Sequence, residues 1–187
     1  MSLKHFHIDK NWSLFLDRDG VINKRLRGDY VKRIEEFEFL PGVLNALPVL
    51  AKNFNRIVVV SNQQGIGKGL MTEEDLQVVH DWMMQEIRAK GGRIDQIYYC
   101  TALAAENNPC RKPNPGMALQ AKTDFPGINL SKSIMAGDSH SDMLFGKNLG
   151  MLSVFINSEN MNIRPEYPVD FVYESLWEFA RDVDSFS

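Results

Sequence analysis

With 187 residues, 44% apolar and 24% charged, the chain has the balance of an ordinary soluble domain, long enough to bury about 70% of its unfolded surface. Its 21 Lys and Arg against 24 Asp and Glu leave a net charge of −3. That excludes bulk electrostatic binding of nucleic acid, which needs a clustered basic surface. The longest bare aliphatic run, 57–60, is far short of the roughly 20 residues of a membrane span. The first residues lack a signal peptide's apolar core, and two cysteines make no disulfide framework. A cytoplasmic monomer, with no membrane or nucleic-acid partner and a single domain over 1–187, is expected.

In chain order, 12–16 reads as a buried strand ending at Asp17. Leu44, Leu47, Leu50 and Ala51 keep a helical period after Pro41-Gly42. A near-continuous apolar strand follows at 56–61. Thr72 and Asp75 have capping-box spacing at a helix start. The helix they open carries Leu76, Val79, Met83 and Ile87 on one face and stops at Gly91-Gly92. His80 on that helix reads as solvated or partly packed. Then come a strand at 94–100, a helix at 115–125, a strand at 133–137, a helix at 141–148 and a strand at 151–156. An amphipathic helix at 174–183 closes the series. Apolar strands separated by helices predict an α/β domain: a parallel sheet covered by helices on both faces.

In such a sheet a ligand lies beyond the carboxyl ends of the strands. Those ends are Asp17, Ser61, Cys100 and Asp138. Asp17-Arg18-Asp19-Gly20 puts two carboxylates two residues apart, where they repel unless a cation or proton intervenes. A hard divalent ion is the economical explanation, with one carboxylate free as nucleophile and the other as proton donor. Ser61-Asn62-Gln63-Gln64-Gly65 offers a hydroxyl, an amide and backbone N–H groups suited to a tetrahedral anion. Arg111-Lys112 adds two cations stiffened by neighbouring prolines. Asp138 can complete the cation site, and Asp142 can brace the loop or cap a helix. Each segment alone also reads as a polar turn, a capping residue or a surface pair. Together at one sheet edge they describe a phosphoryl-cleaving site.

Asp17-x-Asp19-Gly20, Ser61-Asn62, Lys112-Pro113 and Gly137-Asp138-x-x-x-Asp142 resemble, in order, the four motifs of the haloacid dehalogenase (HAD) superfamily. More narrowly, the 17–23, 37–39, 61–66, 98–100 and 110–113 segments are similar to the heptose 1,7-bisphosphate phosphatases, with histidinol-phosphate phosphatase domains the nearest relatives. The resemblance implies a three-layer Rossmann-like fold without a large cap domain. Small loops at 23–30, 65–71 and 100–110 would then shape the pocket. It also implies a magnesium-dependent phosphatase acting on a small phosphorylated metabolite. Asp17 would be the nucleophile, Asp19 the acid and base, and Ser61 and Lys112 the phosphoryl stabilisers. Magnesium would be held by Asp17, the Asp19 carbonyl and Asp138. Substrate contacts would fall to Gly20, Asn23, Asn62, Gln63, Arg111 and Ser139, with Asp142 in support.

Two departures stand out. Relatives hold zinc with a Cys-x-His and a Cys-x-Cys pair, but here Ala102 and Asn108 replace two of the four ligands. Cys100 and Cys110 are therefore expected as free, buried thiols without zinc. Ser139 stands where the heptose enzymes usually have Lys, and Lys24-Arg25-Leu26-Arg27 offers replacement charge on a loop about two residues longer than in relatives. The resemblance implies D,D-heptose 1,7-bisphosphate as the substrate; histidinol phosphate is the alternative, and a non-catalytic phosphoacceptor or metabolite-binding module is the alternative class.

Overall fold

Six strands form one sheet in the order β3-β2-β1-β4-β5-β6, and every pairing is parallel. They are β1 (Ser13–Leu16), β2 (Arg56–Asn62), β3 (Gln96–Cys100), β4 (Ser133–Gly137), β5 (Leu152–Ile156) and β6 (Phe171–Tyr173). The computed structural model describes residues 3–161, 163–164 and 166–185. Met1 and Ser2, part of the segment read for a signal peptide, lie outside that set.

The helices are α1 (Val43–Asn53), the one-turn α2 (Gln64–Gly67), α3 (Glu73–Ala89), α4 (Gly116–Asp124), α5 (His140–Asn148) and α6 (Leu176–Asp184). Because strand side chains alternate between faces, Leu14, Leu16, Ile57, Val59, Ile134 and Ala136 join one apolar cluster with α1, α3 and α6. Phe15, Val58, Val60 and Met135 join a second with α4 and α5. These are the expected three layers. No helix among the described residues is long and apolar enough to cross a membrane.

β1 lies inside the sheet with all four residues buried. Leu16 is in register with Val59 on one side and Ala136 on the other. β1 ends there, β4 one residue later and β2 three residues later, so the carboxyl ends of all three open at the same edge, where the chain order reverses across β1. That edge is the expected ligand crevice of a doubly wound sheet.

The structure corrects several local expectations. β3 begins at Gln96, not at 94. Between β1 and α1 a 3-10 turn covers Ile34–Glu36, and Phe39 only bridges to Asn23. β6 escaped notice because three residues are too few to show a period. His80 is buried, contrary to the solvated reading, because it lies four residues after Leu76 and three before Met83 on the buried stripe of α3. Cys100 and Cys110 are not free thiols. They form a disulfide with Cα atoms 5.5 Å apart. The 101–110 loop turns back on itself, with the Gly116 N–H donating to Pro109 O and Arg111 Nη1 to Ala102 O. That return brings Cys110 against the end of β3, a meeting that spacing in sequence does not reveal.

Candidate active site

One residue beyond β1 and one beyond β4, Asp17 and Asp138 face each other, and the first turn of α5 adds Asp142. One carboxylate oxygen from each lies within 4.8 Å of the other two, and all three residues are buried. Asp142 is placed by a capping box: Ser139 Oγ accepts from its N–H, while its carboxylate accepts from the Ser139 N–H. Gly137 is required here, since a Cβ would lie 2.2 Å from the Asp142 Cβ.

Lys112 enters this acidic cup from the loop before α4. Its Nζ is 3.0 Å from Asp17 Oδ1 and 2.5 Å from Asp142 Oδ1, and it donates to Val60 O at 2.7 Å. Asn62 at the end of β2 fixes that loop twice. It accepts from the Lys112 N–H at 3.0 Å and donates to Lys112 O at 3.2 Å. Burial, reinforced by the charge of Asp142, pushes the Asp17 carboxyl up to about 6 despite Lys112. Asp138 is raised for the same first reason, with Asp17 as its next opponent.

Asp19 is treated differently. Burial works to raise its pKa, yet the Arg18 guanidinium and hydrogen bonds from Arg18, Asn23 and Gln63 hold it below the usual carboxylate range. Those bonds are 2.9 Å from Arg18 Nη2, 2.9 Å from Asn23 Nδ2 and 2.8 Å from Gln63 Nε2. Gln63 also donates to Ser61 Oγ at 2.8 Å. Arg18 is fully buried, and its Nη1 lies 3.1 Å from His80 Nε2. Burial and the Arg18 charge push the His80 imidazole down to about 3, so it is neutral and accepts that bond.

A cleft of about 460 Å³ opens over these groups, lined by Asp17, Asp19, Ser61, Asn62, Arg111, Lys112 and Ser139. Arg25, Tyr30 and Lys68 line it from two of the three expected loops, 23–30 and 65–71, while no residue of the 100–110 loop lines it. Asn23 and Gln63, expected to touch substrate, lie instead beneath the floor, fully buried against Asp19. Gly20 adopts φ +94° and packs so closely on Asp138 that a Cβ would meet its Oδ2 at 1.8 Å. Left-handed strain of roughly 1–2 kcal/mol plus that clash should make Gly20→Ala lower the melting temperature by about 2–8 °C. An unchanged melt would show that the 17–20 turn is free to move. His140 stacks on Tyr167 with ring centroids 4.5 Å apart.

Sequence reasoning missed Arg18, His80 and Arg25. Arg18 carries no expectation of its own between the two aspartates, and His80 reads as solvated or partly packed rather than as the partner of a buried guanidinium. Arg25, expected only as part of a loop offering replacement charge, has its Nη2 2.6 Å from Asp138 Oδ1, 3.2 Å from Asp19 O and 4.0 Å from Asp17 Oδ2. A cation therefore already sits where three hard oxygen donors converge. That donor chemistry fits magnesium, which takes oxygen ligands and one or two carboxylates.

A parallel sheet with aspartates after its central strands, a hydroxyl near the end of the neighbouring strand and a buried lysine against them defines a HAD-type phosphatase. Residues 109–179 match the HAD-hydrolase-like family model. The chain is 39% identical over 170 residues, 90% of each chain, to the D-glycero-alpha-D-manno-heptose-1,7-bisphosphate 7-phosphatase of Mycobacterium bovis. It is 33% identical over 180 residues, 91% of this chain and 94% of the other, to the D-glycero-beta-D-manno-heptose-1,7-bisphosphate 7-phosphatase of Yersinia pestis. Its fold is similar to that of the D,D-heptose 1,7-bisphosphate phosphatase from B. bronchiseptica, crystallised with magnesium and phosphate. The TM-score is 0.83, with 27% identity over 94% of this chain and 99% of that one. The chain belongs to the heptose 1,7-bisphosphate phosphatase family of the HAD superfamily.

Proposed function

We propose that the chain hydrolyses the 7-phosphate of a D-glycero-D-manno-heptose 1,7-bisphosphate, with magnesium, through an aspartyl-phosphate on Asp17. The observation that carries this is the meeting of Asp17 with Lys112 at the floor of a cleft whose walls bear Arg25, Lys68 and Arg111. A carboxylate nucleophile beside a buried ammonium suits an incoming phosphoryl group, and the wall cations suit a second phosphate. The named substrates of the relatives narrow the choice of sugar.

In the first step an Asp17 oxygen attacks phosphorus, and the bond from phosphorus to the sugar oxygen breaks. That oxygen leaves with a proton from Asp19. In the second step Asp19 takes a proton from water, whose oxygen attacks phosphorus and releases inorganic phosphate from Asp17. The three donors around Asp19 keep it a carboxylate, the form the second step needs. The substrate's negative charge raises its proton affinity for the first. Ser61 and Lys112 hold the phosphoryl oxygens, while Asn62 keeps Lys112 in place. Magnesium held by Asp17, the Asp19 carbonyl and Asp138 would supply positive charge against the phosphoryl group. Zinc has no part in this reading. Two of the family's ligand positions are Ala102 and Asn108, and the other two sulfurs are bonded to each other.

The test is phosphate release from both anomers of the heptose bisphosphate and from histidinol phosphate, with magnesium and with a chelator. Magnesium-dependent release from a heptose bisphosphate well above histidinol phosphate is expected, and the reverse ranking would overturn the substrate assignment. Asp19→Asn separates the acid from the nucleophile. Since p-nitrophenolate needs little protonation to leave, that variant should lose about 10²–10⁴-fold on the sugar phosphate and distinctly less on p-nitrophenyl phosphate. Equal losses would mean that Asp19 chiefly organises the metal site.

A further inference from the structure

At and beneath the floor of the cleft stand four carboxylates, the buried Asp17, Asp138 and Asp142 and the half-buried Asp19, against three cations. Two of those cations are built in. Arg18 is sealed under Asp19, and the Lys112 side chain is 1% exposed, tied to Asp17, Asp142 and a strand carbonyl. The third, Arg25, reaches in from a loop with its side chain 36% exposed, and its floor contacts are one oxygen each from Asp138, Asp19 and Asp17. The loop is anchored on either side of it, by Lys24 on Glu38 and by Arg27 on Glu159. Those anchors do not depend on where the Arg25 guanidinium lies.

We propose that Arg25 is the exchangeable counter-cation of the metal site, closing the acidic cup until a divalent ion takes the same three oxygens, and then turning into the cleft to bind the substrate phosphate that is not cleaved. This rests on the magnesium-dependent bisphosphatase reading above. A divalent ion and a guanidinium cannot share oxygens this close together, because two cations a few ångströms apart repel strongly inside a poorly hydrated pocket. With the ion bound, Arg18 and Lys112 already balance the remaining carboxylate charge. A displaced Arg25 then has no acid left to neutralise, and the cleft it lines with Arg111 and Lys68 becomes net positive. A guanidinium fork there is suited to bidentate capture of a phosphate.

The test begins without substrate, by calorimetric titration of magnesium into chelator-stripped protein. Arg25→Ala should bind magnesium at least about tenfold more tightly than the parent, the loss of one charge-assisted competitor. Arg25→Lys, which keeps a competing charge, should stay within about threefold of the parent. In chelator the alanine variant should melt lower than the parent, and with saturating magnesium the two should melt together. A folded Arg25→Ala with unchanged or weaker magnesium affinity would overturn the competition. In turnover, the KM for heptose bisphosphate should rise about tenfold or more in Arg25→Ala while that for p-nitrophenyl phosphate does not. Equal changes on both substrates would overturn the phosphate role. Should the parent enzyme fail on heptose bisphosphate, the substrate assignment falls, yet the substrate-free titration still decides the competition.

Discussion

Asp17→Asn should lower turnover at least about a thousandfold, because the amide cannot form the acyl phosphate and nucleophile deletions in covalent enzymes cost that much or more. The same substitution should not weaken the metal-free fold. Asp17 is buried against Asp142, and its carboxyl is raised from the ordinary 3.8 to about 6. The native state thus binds that proton more tightly than the unfolded chain does. Its contribution to stability is fully present below pH 3.8 and is lost as pH rises through 6. In chelator above that pH, the neutral Asn variant should melt at or above the parent temperature, and its melts should change less with pH across the window. A folded variant keeping more than a tenth of the parent rate would remove Asp17 as nucleophile. A variant that melts well below the parent would show that the carboxylate stabilises the fold on balance.

Lys112→Met should fail in both respects at once. The ammonium is the buried partner of Asp17 and Asp142, with its backbone clamped by Asn62. Breaking a buried ion pair from one side costs roughly 3–5 kcal/mol, because the remaining charge is left uncompensated. For a chain of this size that is a fall of about 6–20 °C in melting temperature. Loss of a preorganised charge aimed at the phosphoryl group should cost about 10²–10³-fold in kcat. Adding Asp142→Asn to the Met variant should restore part of the stability and none of the rate. Recovery of rate in the double variant would mean that Lys112 serves only to neutralise Asp142.

Much of this arrangement was legible in the sequence, for a physical reason. A strand buried on both faces is apolar throughout, so the first polar residue after it marks the sheet edge. Asp17 and Asp138 announce themselves in that way, and Ser61 is the first polar residue after the apolar run of β2. The capping box of α3 is likewise a local pattern with a local cause. What could not be read depends on contacts between distant segments. Arg18 gives no signal of burial, since its partner His80 is 62 residues away on a helix whose stripe was read without it. Asn23 and Gln63 carry the side chains of substrate ligands, and only the fold shows them turned under Asp19 rather than into the cleft. Cys100 and Cys110 offered thiols in sequence, and their pairing depends on how the 101–110 loop returns. Arg25 reads only as replacement charge on its loop, because nothing local joins it to Asp138, 113 residues away.

The central claim is covalent capture by Asp17, and one measurement addresses it directly. Asp19→Asn enzyme, in which release of the second-step phosphate is slowed, is mixed with magnesium and p-nitrophenyl phosphate, quenched in acid during the first turnover and reduced with borohydride. Reduction converts an acyl phosphate of aspartate to homoserine, which peptide mass spectrometry locates. The account predicts homoserine at position 17 in proportion to the nitrophenol released, and none when magnesium or substrate is omitted. Stoichiometric nitrophenol release with Asp17 unmodified, or with the modification at another carboxylate, would contradict it.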